Sequence, residues 1–285
     1  MLLESHDAGH FGDGIAGDRS FGDYKHSDGG RSSPLSLLPG QHLQLLKGEA
    51  MHAGPLGCLL DITGSALVEL CEQGHFALAD VSDWRSRIQG QLSNAYREFI
   101  VWSGESCQQH TIRRFHRLGF SLKSQHSWPS YKGKAHNTLV LCRWLESRTR
   151  NAISGPYSRL RWQVLWAWTE WFNICLTGDP DFLDAAELKR LGECGMLMFF
   201  GHKHLAHANS VDCLPRYKLR QKAHVMLHIT AQAVAGRRNP RSWWSFKEEE
   251  TMGRLSKIAV GTHAVSVCNR SLERWCVQFF NFFDD

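Results

Sequence analysis

The stretch PYSRLRWQVLWAWTEWFNICL, Pro156 to Leu176, constrains the fold of this chain more than any other. Leu160, Val164, Ala167, Trp171 and Ile174 recur at helical spacing, and Trp162, Trp166 and Trp168 widen the stripe. A helix apolar over so much of its circumference cannot lie on a surface. It predicts a central element of a helical bundle, with its tryptophans in the core and not in a ligand cage.

The segments around it read as helices too. Residues 41–75 predict two short helices broken at Gly54-Pro55, the second over 62–73 with Leu67, Leu70 and Cys71 on one side. Residues 80–102 predict a longer amphipathic helix, capped by Asp80, Ser82 or Asp83, with Trp84, Ile88, Leu92, Tyr96 and Phe99 on one face. Residues 107–120 place Arg113, Arg114, His116 and Arg117 around Ile112, Phe115 and Leu118. That pattern predicts a basic amphipathic helix ending at Gly119, whose charged face either is solvated or contacts phosphates. A loop over 121–132 offers an internal boundary, and a helix follows over 133–149. Asp179-Pro180-Asp181 starts another helix, reaching about residue 208, and Pro215 precedes one reaching about residue 235. Two last helices are predicted over 245–260 and 263–282. No hairpin signal or repeat is visible. The fold class is mainly α, an irregular helical bundle.

Residues 1–40 are rich in Gly, Asp, Ser and His and predict a disordered N-terminal segment, with the helical domain over 41–285. Nine cysteines form no CxxC pair, which suits reduced thiols in an intracellular protein, nuclear or cytoplasmic. No uninterrupted apolar run spans a bilayer and no signal peptide opens the chain, so no membrane partner is expected. The formal net charge of +5 is mild, and only a local basic patch would matter for binding.

The densest collection of chemically distinct groups runs from Pro215 to Leu255. Arg216, Lys218, Arg220 and Lys222 precede its helix, and Arg237, Arg238 and Arg241 follow it. These seven are either a nucleic-acid-binding surface or a solvated one. His224 and His228 stand one helical turn apart, and His204 and His207 lie on the preceding helix. Folded back antiparallel, the two helices can bring four imidazoles together around Zn²⁺. However, KAHVMLH lacks the Glu that makes HExxH specific. Glu248, Glu249 and Glu250 open the helix after Trp243-Trp244, where the helix dipole alone favours them.

Several of these residues fit a known pattern. Lys222-x-His224-x-x-x-His228, Asn239-Pro240, Trp244, Phe246, Glu249 and Met252-Gly253-Arg254 resemble the C-terminal part of transposase-like proteins amplified in some protist genomes. More faintly, they resemble the helical domain downstream of plant CACTA-type transposases. Ser130–Leu145 is similar to that family's Lys-rich helix. Met51-His52, Leu56-Gly57, Gly64-Ser65 and Glu69-Leu70 are similar to its His-to-Glu-Leu segment. The likeness extends over roughly residues 42–275.

The resemblance implies a DDE-type transposase, which cuts and joins DNA with two Mg²⁺ ions held by three carboxylates in an RNase H-like core. Glu249 matches the last acid. The second falls at Pro55, which cannot ligate a metal, and the nearest carboxylate, Asp61, lies off the pattern. A remnant strand near Leu59–Ile62 would mark the old core. The expectation is a transposase-derived remnant with no cofactor and no catalysis of its own, touching DNA through its basic patches. The rival readings are a metal-dependent enzyme built on the His cluster and a purely structural or interaction bundle.

Overall fold

The computed structural model describes residues 48–76, 82–246, 256 and 260. The chain divides into two compact units, Met1–Trp243 and Trp244–Asp285. The first holds every element described below, with the segment 121–132 packed inside it. The expectations for residues 1–40, for the last two helices and for Glu248, Glu249 and Glu250 lie outside the described residues.

Seven α-helices make up this unit: α1 Ala50–Ala53, α2 Leu59–Glu72, α3 Trp84–Glu105, α4 Ala135–Arg150, α5 Pro156–Thr177, α6 Ala185–Val211 and α7 Gln221–Gly236. The architecture is all-α. Among the described residues the one β feature is an isolated bridge between Phe182 and Arg238. The remnant strand expected over Leu59–Ile62 is therefore corrected: these residues form the first turn of α2. A short apolar run cannot distinguish a buried strand from a buried helix. Here the decision comes from burial on every side.

α2 is the axis of the unit. Every residue from Asp61 to Cys71 is buried, and the helix packs against α3, α4 and α5. The predicted break at Gly54-Pro55 is milder than a break. A π-helical turn over Gly54–Cys58 joins the two helices across a kink, with Gly54 and Gly57 both outside helical φ/ψ. The combined span Ala50–Glu72 is long and apolar enough to cross a membrane, with mean hydropathy 1.3, but 89% of it is covered by the rest of the fold.

α5 meets α2, α4 and α6, and Val164, Ala167, Trp168 and Trp171 are buried as the stripe predicted. Trp171 Nε1 donates to Thr230 Oγ1 at 3.0 Å, which satisfies the indole in the core. α6 approaches α7 closely because Gly195 leaves no side chain there; a Cβ would lie 2.5 Å from Thr230 Cγ2.

Two predicted helices are shorter or absent. Cys107 turns in the left-handed region, residues 108–116 form no regular element, and a 3₁₀ turn follows over Arg117–Phe120, so the basic helix at 107–120 does not exist. Side chains capture the backbone that a helix would have used. Asn137 Oδ1 accepts from Thr111 N at 3.0 Å, and Gln89 Oε1 accepts from Arg117 N at 3.2 Å. After Pro215 the chain stays irregular until Gln221, because Tyr217 N donates to Ser65 Oγ on α2 at 2.8 Å.

Candidate nucleic-acid interface

The charges divide into two populations. The first is internal. α2 presents Asp61, Glu69 and Glu72, and each meets an arginine far away in sequence. Arg161 Nη1 lies 3.1 Å from Glu69 Oε2 with its side chain wholly buried. Tyr157 and Tyr217 hydroxyls donate to the two oxygens of Glu69 at 2.5 and 2.7 Å. Arg216 Nη2 reaches both oxygens of Glu72, at 2.7 and 2.8 Å. Arg220 holds Asp61 through Nε and through Nη2. Burial, reinforced by the charge of Glu69, pushes the Tyr157 and Tyr217 hydroxyls well above the usual tyrosine range. They remain neutral donors. His202, beneath this layer, bonds to Tyr217 O at 3.2 Å, and burial lowers it to about 4.

This arrangement disperses the basic patch read from the sequence. Arg216 is 2% exposed and Arg220 is committed to Asp61. Lys222 Nζ donates to Leu56 O, Arg241 Nη1 to Leu176 O, and Arg238 lies over the Phe182 ring. Lys218 and Arg237 are exposed. The acid reading fares similarly: Asp61 is fully buried with both oxygens taken by one guanidinium, a donor set that does not fit Mg²⁺. Glu249 lies outside the described residues.

The histidines come together only in part. His224 Nε2 and His228 Nε2 are 2.8 Å apart, and burial together with His224 lowers the pKa of His228. His204 and His207 sit exposed on α6. Among the described residues no three His, Cys, Asp or Glu side chains converge, so this pair does not make a zinc set.

The second population is external, and the sequence reading undervalued it. Between Glu105 and Glu146 there is no acidic residue. Arg113, Arg114, Lys123, Lys132 and Lys134 in that span are all exposed and make no ion pair among the described residues. The run of sequence without a carboxylate was the signal.

This segment is ordered by its apolar residues. Ile112, Phe115, Phe120, Leu122 and Tyr131 are buried, with Phe115 packed among Tyr96, Phe99 and Trp144. Tyr96 Oη donates to Ile112 O at 3.2 Å, so residues 112–117 run back along α3. Tyr131 N donates to Leu60 O at 2.9 Å, docking the second half on α2. Gly64 makes that docking feasible, since a Cβ there would lie 2.9 Å from Ser130 N and 3.0 Å from Pro129 C. The result is a rigid strip with cations outward and Trp128 47% exposed among them.

Beside the strip opens a cleft of about 520 Å³ between α2, the start of α3, and the loops at 125–126 and 214–216. Trp84, Arg87, Ile88 and Gln91 line it from α3, with Glu72 and Arg216 opposite. No family model, curated protein or solved structure matches this chain.

Proposed function

We propose that this chain is a nucleic-acid-binding module without chemistry of its own, a repurposed remnant of the transposase type its motifs resemble. The observation that carries the reading is the ordered, acid-free strip bearing Arg113, Arg114, Lys123, Lys132 and Lys134, none of them paired with an acid among the described residues. Fixed cations facing solvent suit a polyanion, because each phosphate they neutralise releases a condensed counterion. Exposed Trp128 and Trp84, half-buried, add ring surface beside the charges. The non-catalytic part of the reading rests on the acids. Asp61, Glu69 and Glu72 are each held by a guanidinium and leave no open carboxylate pair for two metal ions.

The test is binding to labelled DNA over a salt series, with Mg²⁺ present. Arg113→Ala/Arg114→Ala should weaken binding and reduce the salt slope by about two units, about one per lost phosphate contact. The DNA should stay intact. No binding at low salt, an unchanged slope, or metal-dependent cleavage would each defeat the proposal.

A further inference from the structure

The cleft at the start of α3 holds features that the strip does not explain. Trp84 is half-buried at its wall, and its ring stacks on no other aromatic among the described residues. Arg87, one helical turn on, is exposed, and its guanidinium has no ion-pair or hydrogen-bond partner among the described residues. Gln91, one turn further, is only 7% exposed, yet its Oε1 meets no donor. Across the cleft Arg216 is 2% exposed, and its Nε meets no acceptor although Nη2 holds Glu72. Buried polar atoms without partners are rare in folded proteins, and two among the residues lining one cleft point to a missing ligand group. The spacing 84, 87, 91 puts a ring, a cation and an amide on one helix face in that order. The volume falls within the range of about 300–1,000 Å³ common to small-molecule sites.

We infer that this cleft takes one unpaired nucleotide whose base carries an exocyclic amino group. This rests on the nucleic-acid reading for the strand that delivers the nucleotide. The base stacks on Trp84, and its amino group donates to Gln91 Oε1, with Glu72 as a second acceptor. The phosphate lies on Arg87. Arg216 keeps Glu72 neutralised, so the acid does not repel the phosphate beside it, and its free Nε faces a ring nitrogen or carbonyl of the base. The strip then carries the neighbouring phosphates. A duplex cannot use the cleft, because its bases are stacked and paired.

The experiment compares a labelled short oligodeoxycytidylate with a hairpin duplex of matched charge, by fluorescence anisotropy. Wild type is set beside Trp84→Ala and Gln91→Met. Each substitution should weaken single-strand binding by about tenfold and leave duplex binding unchanged. Gln91→Met keeps the shape of the side chain and removes the unpartnered oxygen, so its melting temperature should be equal or higher. That separates a lost contact from a lost fold. Unchanged single-strand affinity in both variants, or equal losses for single strand and duplex, overturns the inference and leaves the strip's role standing. If no DNA binds at low salt, the functional proposal fails, and calorimetry with cytidine 5′-monophosphate decides the cleft by itself. Binding abolished by Gln91→Met would establish a site for free nucleotide; no binding to wild type would overturn this inference as well.

Discussion

The interior of α2 and the strip between α3 and α4 treat charge in opposite ways. Along α2, every acid from Asp61 to Glu72 is matched by an arginine, and the match spans 92 to 159 positions of sequence. Outside, five cations sit within 22 positions of one another and have no acid to meet. The lesson is that local charge density is a poor guide to a binding surface. The cations that look most concentrated in sequence, around Arg216 and Arg220, hold the fold together. Five that stay unpaired among the described residues belong to one stretch of sequence with no carboxylate, residues 106–145.

Four experiments can break or sharpen this contrast, and Arg161→Met should have the largest effect. It removes the cation beneath Glu69 and leaves a carboxylate buried with only two hydroxyl donors. Removing one partner of a buried pair costs about 3–5 kcal/mol. Chemical denaturation that shows no loss would mean Glu69 is content with its tyrosines, and the interior pairs would not be structural.

Acid should weaken the same region through His202. Burial holds its pKa near 4 against an ordinary 6.5, so the unfolded chain binds a proton that the folded chain refuses. The stability contribution is complete above pH 6.5 and is lost as pH falls from 6.5 towards 4, by an amount of order 3 kcal/mol. His202→Gln keeps a donor for Tyr217 O and should flatten that part of the pH profile. An unchanged acid slope would place the titration elsewhere.

Gly64→Ala addresses the junction of the two regions. The new methyl would press on the backbone of Pro129 and Ser130, which cannot rotate away. Overpacking of this kind costs about 1–3 kcal/mol. Amide exchange should quicken first over residues 119–132, ahead of α5 and α6. Uniform destabilisation would show that the strip is not a separable layer on α2.

The smallest effect on stability belongs to Arg113→Ala/Arg114→Ala. Two exposed, unpaired cations should shift stability by no more than about 0.5 kcal/mol while changing DNA binding. A large loss of melting temperature would make them structural and erase the contrast with Arg161.

Much of the helical framework was legible. The α5 stripe, the Asp83 cap of α3 and the body of α6 follow from 3.6-residue periodicity and capping residues, although α6 starts at Ala185 behind Asp184 and not at Asp179-Pro180-Asp181. The sites were less legible. Residues 107–120 carry a helical pattern, but Asn137 and Gln89 claim their backbone from elsewhere. The cleft joins Gln91 to Arg216 across 125 positions (216 − 91), and no motif spacing announces it.

The sequence by itself therefore determined most of the helices among the described residues, with 107–120 the exception, and that residues 106–145 carry no acid. Tertiary structure decided which charges are neutralised, that α2 and not α5 is the helix buried all round, and where a basic strip meets a cleft. The physical reason is range. Backbone hydrogen bonds and side-chain periodicity are set within a turn or two of helix. Whether a charge is free depends on which distant residue the folded chain brings within about 4 Å of it, and that is fixed only when the helices pack.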